Sequence, residues 1–474
     1  MSDNKKVSEY RQKIDEWFAQ HTDELLEDLR QLLAVRSVKG PAEYGAPYGA
    51  GPRDALDLAK EMLSKRGFDV SVFEDIVITA DLGPSPPLMG ILAHLDTVDE
   101  GEGWDTDPFE MTIKGGKIYG RGATDNKGPS IAAMYAAYCA RDINPALRNG
   151  LRLLFGSGEE GGCDDIASYL EKNDPPPNVF TPDADFPLVN FEKGRILPEF
   201  CASWEKDDRL PRIVSITGGK TTNVVPGRAE AVIEGLPIDV VMRFCGEYSG
   251  LTGADLFIRE SGGQLIINAE GTSAHAANPY LGLNAQTALI EMLAAMPFAD
   301  SIGFGYVRAL NRLFPHGDYL GNAFGIAMSD EISGELTLNF GVLDCNETGL
   351  SGNFNSRTPE CSDSVNMRDL VLKSFKREGF TVTDLSVGLS HHTPKESPFV
   401  QNLLRIYEEY TGNPGECLAV GGQTYVHEIP GGVAFGCEFP GLDNCIHGAN
   451  EFIEFEQLIL SAKMFTQAIL DICG

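Results

Sequence analysis

The stretch that decides the fold is LMGILAHLDTVDEGEGWDTDPFEMTIKGGKIYGRGATDNK, residues 88–127. It opens with the apolar run 88–93, which is short and apolar enough to form a buried central strand. His94 and Asp96 stand where that run ends, and residues two apart on an extended backbone share a face. Because a metal-binding histidine usually donates its second ring N–H to a carboxylate, this pair predicts a metal ligand with an orienting carboxylate. Alone, such a pair is more often hydrogen-bonded on a surface loop, so the interpretation depends on residues farther along the chain.

More carboxylates stand before an apolar helix or after later apolar runs. They are Asp125 before an apolar helical segment, Glu159 and Glu160 in a glycine-rich loop after the run 150–155, and Asp183 and Asp185 after a short apolar step. The adjacent Glu159 and Glu160 repel each other, so such a pair persists when cations neutralise it or when it faces water. Alone, such a pair is more often solvated, but ligands in open α/β sheets gather at the carboxyl ends of strands, which makes a metal-ligand interpretation competitive.

Together with a late histidine, these residues form a candidate ligand set for two cations with one bridging carboxylate: His94, Asp125, Glu160, Asp183 and His447. Two metal ions about 3.5–4 Å apart are standard in aminopeptidases. Imidazole and carboxylate ligands without thiolate suit zinc, manganese or cobalt and do not choose among them. Glu159 would be left free beside the metals. Cys163 lies close to Glu160 in sequence, and we expect it to be a small packing residue.

The order of strand and helix patterns along the sequence predicts an α/β domain that is split by an insertion. Strand and helix patterns alternate up to about residue 186 and again after about residue 386. Between them, short β-rich runs recur with two helices, near 286–295 and 367–378, which is an α+β pattern. We therefore predict one domain from residues 1–186 and 386–474 and an inserted domain over residues 187–385. We expect His391 and His392 to be exposed loop residues.

Composition narrows the class of protein. The chain has 474 residues and a formal net charge of −31, which argues against nucleic acid or an anionic membrane as the main partner. The N-terminus has no apolar core of a signal peptide, and no stretch approaches the ~18 apolar residues of a membrane span. The ten cysteines are scattered without a C-x-x-C pair, so we expect reduced thiols and a cytoplasmic protein.

With this ligand set, the chain resembles the co-catalytic metallopeptidases that include aminoacylases, carboxypeptidase G and succinyl-diaminopimelate desuccinylase. The motifs that carry the resemblance are His-x-Asp at 94–96, GRGATDNKG at 120–128, GEE at 158–160, TPD at 181–183 and the late histidine in CIHGANE at 445–451. Within that family it looks most like the PepV-type dipeptidases, also called Xaa-His dipeptidases or carnosinase-like enzymes. PYGAGP at 47–52, TNVVP at 222–226, GTSAH at 271–275 and GVAFG at 432–436 extend the similarity along nearly the whole chain.

The resemblance implies a fold and a set of roles. The fold is a split catalytic domain with a mixed sheet flanked by helices, as in zinc exopeptidases, plus an inserted α+β lid domain. One metal would be held by His94 and Asp183 and the other by Glu160 and His447. Asp125 would bridge the two metals, with a cis bond to the next residue.

The same resemblance implies further roles. Asp96 would support the ligands from outside the set, and Glu159 would be the general base, taking a proton from a water between the metals. Asp185 remains the alternative to Asp183, which is preferred because it comes directly after Thr-Pro.

The resemblance also assigns residues of the inserted domain. His275 would stabilise the oxyanion, while Asn223 and Arg357 would bind the substrate, the arginine gripping its C-terminal carboxylate. The size of the insert implies a monomer in which the lid serves its own chain. Relatives often carry an arginine near position 427, where this chain has His427, so the substrate range stays open.

The implied activity is the metal-dependent hydrolysis of dipeptides that have a free N-terminus. The alternative within the family is a deacylase or desuccinylase that acts on N-acyl amino acids. A binding protein that kept the fold is disfavoured because all the ligands and Glu159 are present, and a dinuclear phosphoesterase is disfavoured by the DNKG and GEEG contexts. The native metal and the preferred side chains of the dipeptide stay open.

Overall fold

The structure is a computed structural model that describes residues 3–474, with side chains from residue 10 onward. The chain forms two compact units. The first comprises residues 3–191, 391–418 and 423–474, and the second comprises residues 192–390 and 419–422. The chain therefore passes from the first unit to the second at 191/192 and returns at 390/391. The sequence pattern placed these boundaries at 186/187 and 385/386. The short return of residues 419–422 to the second unit has no counterpart in the predicted division.

The described residues form ten α-helices, and those of the second unit exceed the predicted number. In chain order they are α1 (Asp3–Leu33), α2 (Ala50–Lys65), α3 (Lys127–Ile143), α4 (Asp164–Leu170), α5 (Ile238–Thr252), α6 (Ala285–Ala295), α7 (Ile302–Leu313), α8 (Ser364–Arg377), α9 (Pro398–Thr411) and α10 (Phe455–Cys473). The prediction of two helices in the insert was wrong, because it missed α5 and α7. Each of these carries two internal glycines, which lower helix propensity, and packing of their apolar faces outweighs that cost.

The strands of the first unit up to the insertion are β1 (Asp69–Phe73), β2 (Val77–Leu82), β3 (Pro87–His94), β4 (Thr112–Lys114), β5 (Lys117–Tyr119), β6 (Gly150–Gly156), β7 (Asn178–Thr181), β8 (Ala184–Asp185) and β9 (Leu188–Glu192). The next in chain order are β10 (Gly194–Ser203), β11 (Arg212–Gly218), β12 (Arg228–Glu234), β13 (Asp255–Ser261), β14 (Gln264–Glu270), β15 (Ser329–Asp330), β16 (Gly334–Glu335), β17 (Thr337–Asn346), β18 (Gly349–Thr358) and β19 (Thr381–Gly388). The remaining strands are β20 (His391–His392), β21 (Cys417–Val420), β22 (Val433–Ala434), β23 (Cys437–Glu438) and β24 (Phe452–Glu454).

The first unit is built on a mixed sheet with the order β1-β2-β6-β3-β7-β22-β9-β20. Strand β3 is central and runs parallel to both of its neighbours, β6 and β7, whereas β2 is antiparallel to β6. All residues of β3 from Met89 to His94 are buried, as the apolar run predicted. The carboxyl ends of the three parallel strands therefore meet at one edge of this sheet, where His94 ends β3, Glu160 follows β6 and Asp183 follows β7.

Helix α3 forms the centre of the helical layer of the first unit. It packs against α1 and α10, and every residue from Lys127 to Ala140 is buried. Its small residues allow the neighbouring helices to approach closely. The start of α3 is consequently fixed, which fixes the position of Asp125 two residues before it.

The second unit contains an eight-stranded sheet with the order β13-β14-β12-β11-β17-β18-β10-β19. All adjacent strands of this sheet are antiparallel. Helices α5 to α8 contribute to a core that is separate from that of the first unit. This α+β architecture agrees with the fold class predicted for the insert.

Two consecutive histidines depart from the prediction. His391 is 9% exposed in strand β20, and its Nε2 lies 2.8 Å from the carbonyl oxygen of Gly432. The ring of His392 lies 5.5 Å from that of Phe191. The prediction of exposed loop residues was therefore wrong, because the imidazole of His391 satisfies a backbone carbonyl inside the first unit. Among the described helices, none is long and apolar enough to span a membrane.

Candidate metal centre

His94 is the last residue of the central strand β3, and its side chain is fully buried. Its Nδ1 lies 3.0 Å from the backbone carbonyl oxygen of Asp96 and 3.4 Å from the carboxylate Oδ1 of the same residue. The carboxylate of Asp96 also accepts the backbone N–H groups of Glu159 (3.3 Å) and Glu160 (3.1 Å). Asp96 thus orients the histidine mainly through its backbone, and its carboxylate holds the loop that carries the two glutamates.

Asp125 lies between the two histidines of the predicted ligand set. Its Oδ1 is 2.9 Å from Nε2 of His94, and its Oδ2 is 2.9 Å from Nε2 of His447. The peptide bond to Asn126 is cis. A carboxylate that presents one oxygen to each histidine has the arrangement that a bridging ligand requires.

The ligand atoms form two groups, and within each the atoms all lie within 4.8 Å of one another. The first group contains His94, Glu159 and Asp183, and the second contains Asp125, Glu160 and His447. All five predicted ligands and Glu159 therefore come together in the first unit.

Asp183, rather than Asp185, stands beside the central histidine. Its Oδ2 is 3.5 Å from Nε2 of His94, and its Oδ1 accepts a hydrogen bond from Asn126 (2.7 Å). Asp185 is exposed and belongs to neither ligand group. The geometry favours Asp183, as the Thr-Pro context did.

Burial and mutual contacts shift the pKa values of the candidate ligands. Burial and the nearby carboxylate of Asp125 together raise the pKa of Glu160 to about 7. Burial would lower the pKa of His94, but the carboxylates of Asp183 and Asp125 instead raise it well above its ordinary value. The carboxylates of Asp125 and Glu160 likewise raise the pKa of His447 to about 11.

These residues fit divalent cations. Nε2 of His94 and Oε1 of Glu160 are buried atoms without a hydrogen bond of normal geometry. Buried charges are normally paired or coordinate a metal. Two imidazoles and several carboxylates, with no thiolate in either group, are a donor set that suits zinc, manganese or cobalt.

A buried ion pair that the sequence analysis missed connects two of the ligand loops. Glu451 is fully buried and accepts hydrogen bonds from Arg121 Nη1 (2.7 Å) and from the backbone N–H groups of Thr124 (2.9 Å) and Asp125 (3.1 Å). The guanidinium of Arg121 also donates to the carbonyl oxygen of Gly448 (3.0 Å), next to His447.

The histidine loop needs such support because its backbone is strained. Cys445, His447 and Asn450 all have φ near +60°, a conformation that costs non-glycine residues free energy. Both members of the ion pair stand inside the motifs GRGATDNKG and CIHGANE, yet no spacing in the sequence indicated their contact.

A second missed cluster holds the loop that carries Glu159 and Glu160. The buried carboxylate of Asp165 accepts the N–H groups of Ser157 (2.7 Å) and Gly158 (2.8 Å) and the hydroxyl of Tyr425 (2.6 Å). The backbone is close to this cluster, because a Cβ on Gly156 would lie 2.1 Å from the hydroxyl oxygen of Tyr425. A side chain at position 156 would therefore displace the tyrosine.

The remaining predicted residues have no ligand role in the geometry of the first unit. Cys163 caps α4 with φ of +65°, and its Sγ is 3.9 Å from Oε1 of Glu159. The ring nitrogen Nε2 of His427 lies 3.3 Å from the side-chain amide of Gln423. Neither residue belongs to a ligand group among the described residues.

The predicted oxyanion-stabilising histidine and the two predicted substrate-binding residues lie in the second unit. Asn223 and His275 are exposed and belong to two segments that pair through Val224 and His275, with the N–H of Ala276 donating to the carbonyl of Asn223 (2.8 Å). Arg357 is buried in β18. The pairing keeps the asparagine and the histidine adjacent to each other.

The family assigned by comparison with known proteins is one whose members have metal sites of this kind. The sequence profile of peptidase family M20/M25/M40 matches residues 90–471. The chain belongs to this family. As an M20 family member it is an enzyme, and its two ligand groups are those expected of a dinuclear metallopeptidase.

Similar sequences cover almost the whole M20 chain. It is 33% identical over 456 residues to "Putative dipeptidase YtjP" of Bacillus subtilis (strain 168). The aligned region covers 95% of this chain and 97% of that protein. A Staphylococcus aureus (strain USA300) protein that is also described as a putative dipeptidase is 31% identical, covering 96% and 98% of the two chains.

Solved structures support the fold. An M20 family metallo-carboxypeptidase from Sulfolobus solfataricus is similar with a TM-score of 0.59 at 17% identity, covering 95% of this chain and 99% of that chain. Aminoacylhistidine dipeptidase from Vibrio alginolyticus is similar with a TM-score of 0.56 at 14% identity, covering 95% and 96%. The predicted fold class is therefore confirmed.

Proposed function

We propose that the protein hydrolyses dipeptides that have a free N-terminus. The observation that carries the proposal is the pair of ligand groups on either side of Asp125, with Glu159 beside them. The relatives named as dipeptidases, which match nearly the whole chain, support the substrate class.

Two divalent ions at these groups would polarise the scissile carbonyl and lower the pKa of an attacking water. Glu159 would accept the proton of the attacking water and donate it to the leaving amine. Burial raises the pKa of Glu159, His94 lowers it, and the carboxylates of Asp183 and Glu160 raise it, so that it lies well above its ordinary value. A raised pKa is the direction that suits a carboxylate acting as a proton acceptor near neutral pH.

The residues of the second unit complete the proposal. We assign the substrate's C-terminal carboxylate to Arg357, with Asn223 as a further contact, and the oxyanion to His275. Arg357 supports its own assignment, because among the described residues no carboxylate pairs with its buried guanidinium. The roles of Asn223 and His275 rest on the resemblance of their motifs.

The test is a panel of dipeptides assayed with zinc, manganese and cobalt, each dipeptide compared with its N-acetylated form. We expect cleavage of the free dipeptides and at most weak cleavage of the acetylated ones. Faster cleavage of the N-acyl compounds would assign the enzyme to the deacylase alternative instead. If the enzyme cleaves neither the free dipeptides nor the N-acyl compounds with any of the three ions, the proposal is contradicted.

We further propose that the native ion is zinc, that the protein works as a monomer and that it acts in the cytoplasm. All ten cysteines are unpaired, which suits a reducing compartment. Metal analysis of protein purified without chelators, light scattering and cell fractionation test these three statements separately.

A further inference from the structure

Two arginines of the second unit face each other across a pair of strands. Arg195 of β10 is directly opposite Arg357 of β18, so both side chains lie on the same face of the sheet. On the neighbouring strands, Gly388 is opposite Arg195 and Thr337 is opposite Arg357. Like charges directly opposite each other are destabilising, and no adjacent position in this row supplies a carboxylate to offset them.

The protein itself does not neutralise this pair. Arg357 is 7% exposed, and its Nε is buried without a partner. Within residues 10–474, neither guanidinium takes part in a hydrogen bond or an ion pair. Burial and the neighbouring Arg195 lower the pKa of Arg357 to about 10.

The excess of acidic residues in the chain makes the lack of a carboxylate beside these two arginines informative. Acidic residues outnumber basic ones by 69 to 38, so an arginine that served packing alone would have many carboxylates to pair with. A buried charge without a partner is costly, and such groups are retained mainly where a ligand supplies the counter-charge. The pair is therefore complementary to an anion from outside the chain.

We propose that Arg195 is a specificity-determining residue that binds a second carboxylate, on the side chain of an acidic C-terminal residue of the dipeptide. This inference rests on the proposed function, in which Arg357 binds the α-carboxylate. Cβ atoms directly opposite each other are about 4.5–5.5 Å apart, so two planar guanidinium groups can each hold one carboxylate of the same residue. Because Arg357 is buried and Arg195 is exposed, the inner arginine binds the invariant group and the outer one the variable side chain.

The test uses substrates that differ only in one charge. The kcat/KM values of Ala-Glu and Ala-Gln are measured with the metal-loaded wild-type enzyme and with Arg195→Gln. We expect the wild type to prefer Ala-Glu by about fivefold, the upper range for one exposed ion pair. Arg195→Gln should abolish the preference through KM, so that Ala-Glu and Ala-Gln are cleaved with equal kcat/KM, because a group that binds substrate and transition state equally affects KM. Arg357→Gln should reduce kcat/KM for both substrates by roughly a hundredfold.

Two controls isolate the position of the charge. Glu-Ala and Gln-Ala carry the same difference on the N-terminal residue, and their ratio should not depend on Arg195. Arg228→Gln removes an exposed arginine of the same unit, with 86% of its side chain exposed, and should leave the Ala-Glu preference intact.

Equal kcat/KM for Ala-Glu and Ala-Gln in the wild type would overturn the inference while the proposed function stands. A preference that survives Arg195→Gln would do the same. An enzyme that cleaves no dipeptide at all would fail earlier, in the test of the proposed function.

Discussion

Tyr425→Phe tests whether the glutamate loop depends on its buried anchor. The substitution removes one hydroxyl, whose oxygen is 2.6 Å from Oδ2 of Asp165, and leaves the ring in place. Burial raises the pKa of Tyr425 well above its ordinary value, and the neighbouring Asp165 raises it further, so the hydroxyl remains a donor at working pH. Asp165 would keep its three backbone donors, on Ser157, Gly158 and Ile166, and lose only this one.

The expected loss depends on the kind of hydrogen bond. A buried hydrogen bond to a charged group contributes about 1.5–3 kcal/mol, so the free energy of unfolding should fall by about that amount. For a unit of this size, each kcal/mol corresponds to roughly 2–4 °C, which gives a decrease in Tm of about 3–12 °C. Because Ser157 and Gly158 lead directly to Glu159 and Glu160, the affinity for one metal ion should also fall, by about tenfold.

Differential scanning calorimetry of the metal-free protein and isothermal titration with zinc measure the two effects. Tyr135→Phe is the matched control, because its hydroxyl donates to Asp28 Oδ2 at 2.7 Å in the same unit. The control should lose stability without any change in metal affinity. If Tyr425→Phe melts with the wild type and binds both ions equally well, the anchoring role assigned to Asp165 is wrong.

The other predictions concern the metals and the catalytic groups. The protein should bind about two divalent ions per chain, and elemental analysis should show that His94→Ala and His447→Ala each lose metal; full activity with one bound ion would contradict the dinuclear site. Glu159→Gln should keep its metal content but lose at least ~10²–10⁴-fold in turnover, and near wild-type turnover would mean that another residue is the base. His275→Ala should lose about 10²–10³-fold in turnover. A mixture of the His275→Ala and Glu159→Gln variants, unfolded and refolded together, should stay inactive if each histidine serves its own chain. Recovered activity would show that the histidine is shared between subunits.

Two ligands of the first unit, His94 and Asp183, could be predicted because each stands next to a local signal. His94 ends an apolar run that becomes β3, and Asp183 comes after the short apolar step that becomes β7. Parallel strands bring such ends to one edge of a sheet, so proximity can be inferred from the strand pattern alone. The late histidine was different, since only its motif connected His447 to the other ligands.

The supports of the ligands could not be predicted in the same way. Glu451 bonds the N–H of Asp125 across 326 residues of sequence, and Tyr425 bonds Asp165 across 260. No periodicity encodes a side chain that satisfies a distant backbone group, and such contacts appear only once the chain is folded. The buried imidazole of His391 escaped prediction for the same reason, because its partner is a carbonyl at position 432.

The contact between Glu451 and the Asp125 segment also sets an order of events during synthesis of the chain. The residues that present Asp125 leave the ribosome long before residues 447 and 451, which supply a ligand and the buried anchor. Until those last residues emerge, the nascent chain lacks the third member of the second ligand group and the acceptor for the N–H groups of Thr124 and Asp125. A chain that stops before residue 447 therefore lacks a complete second ligand group, and we expect it to be inactive.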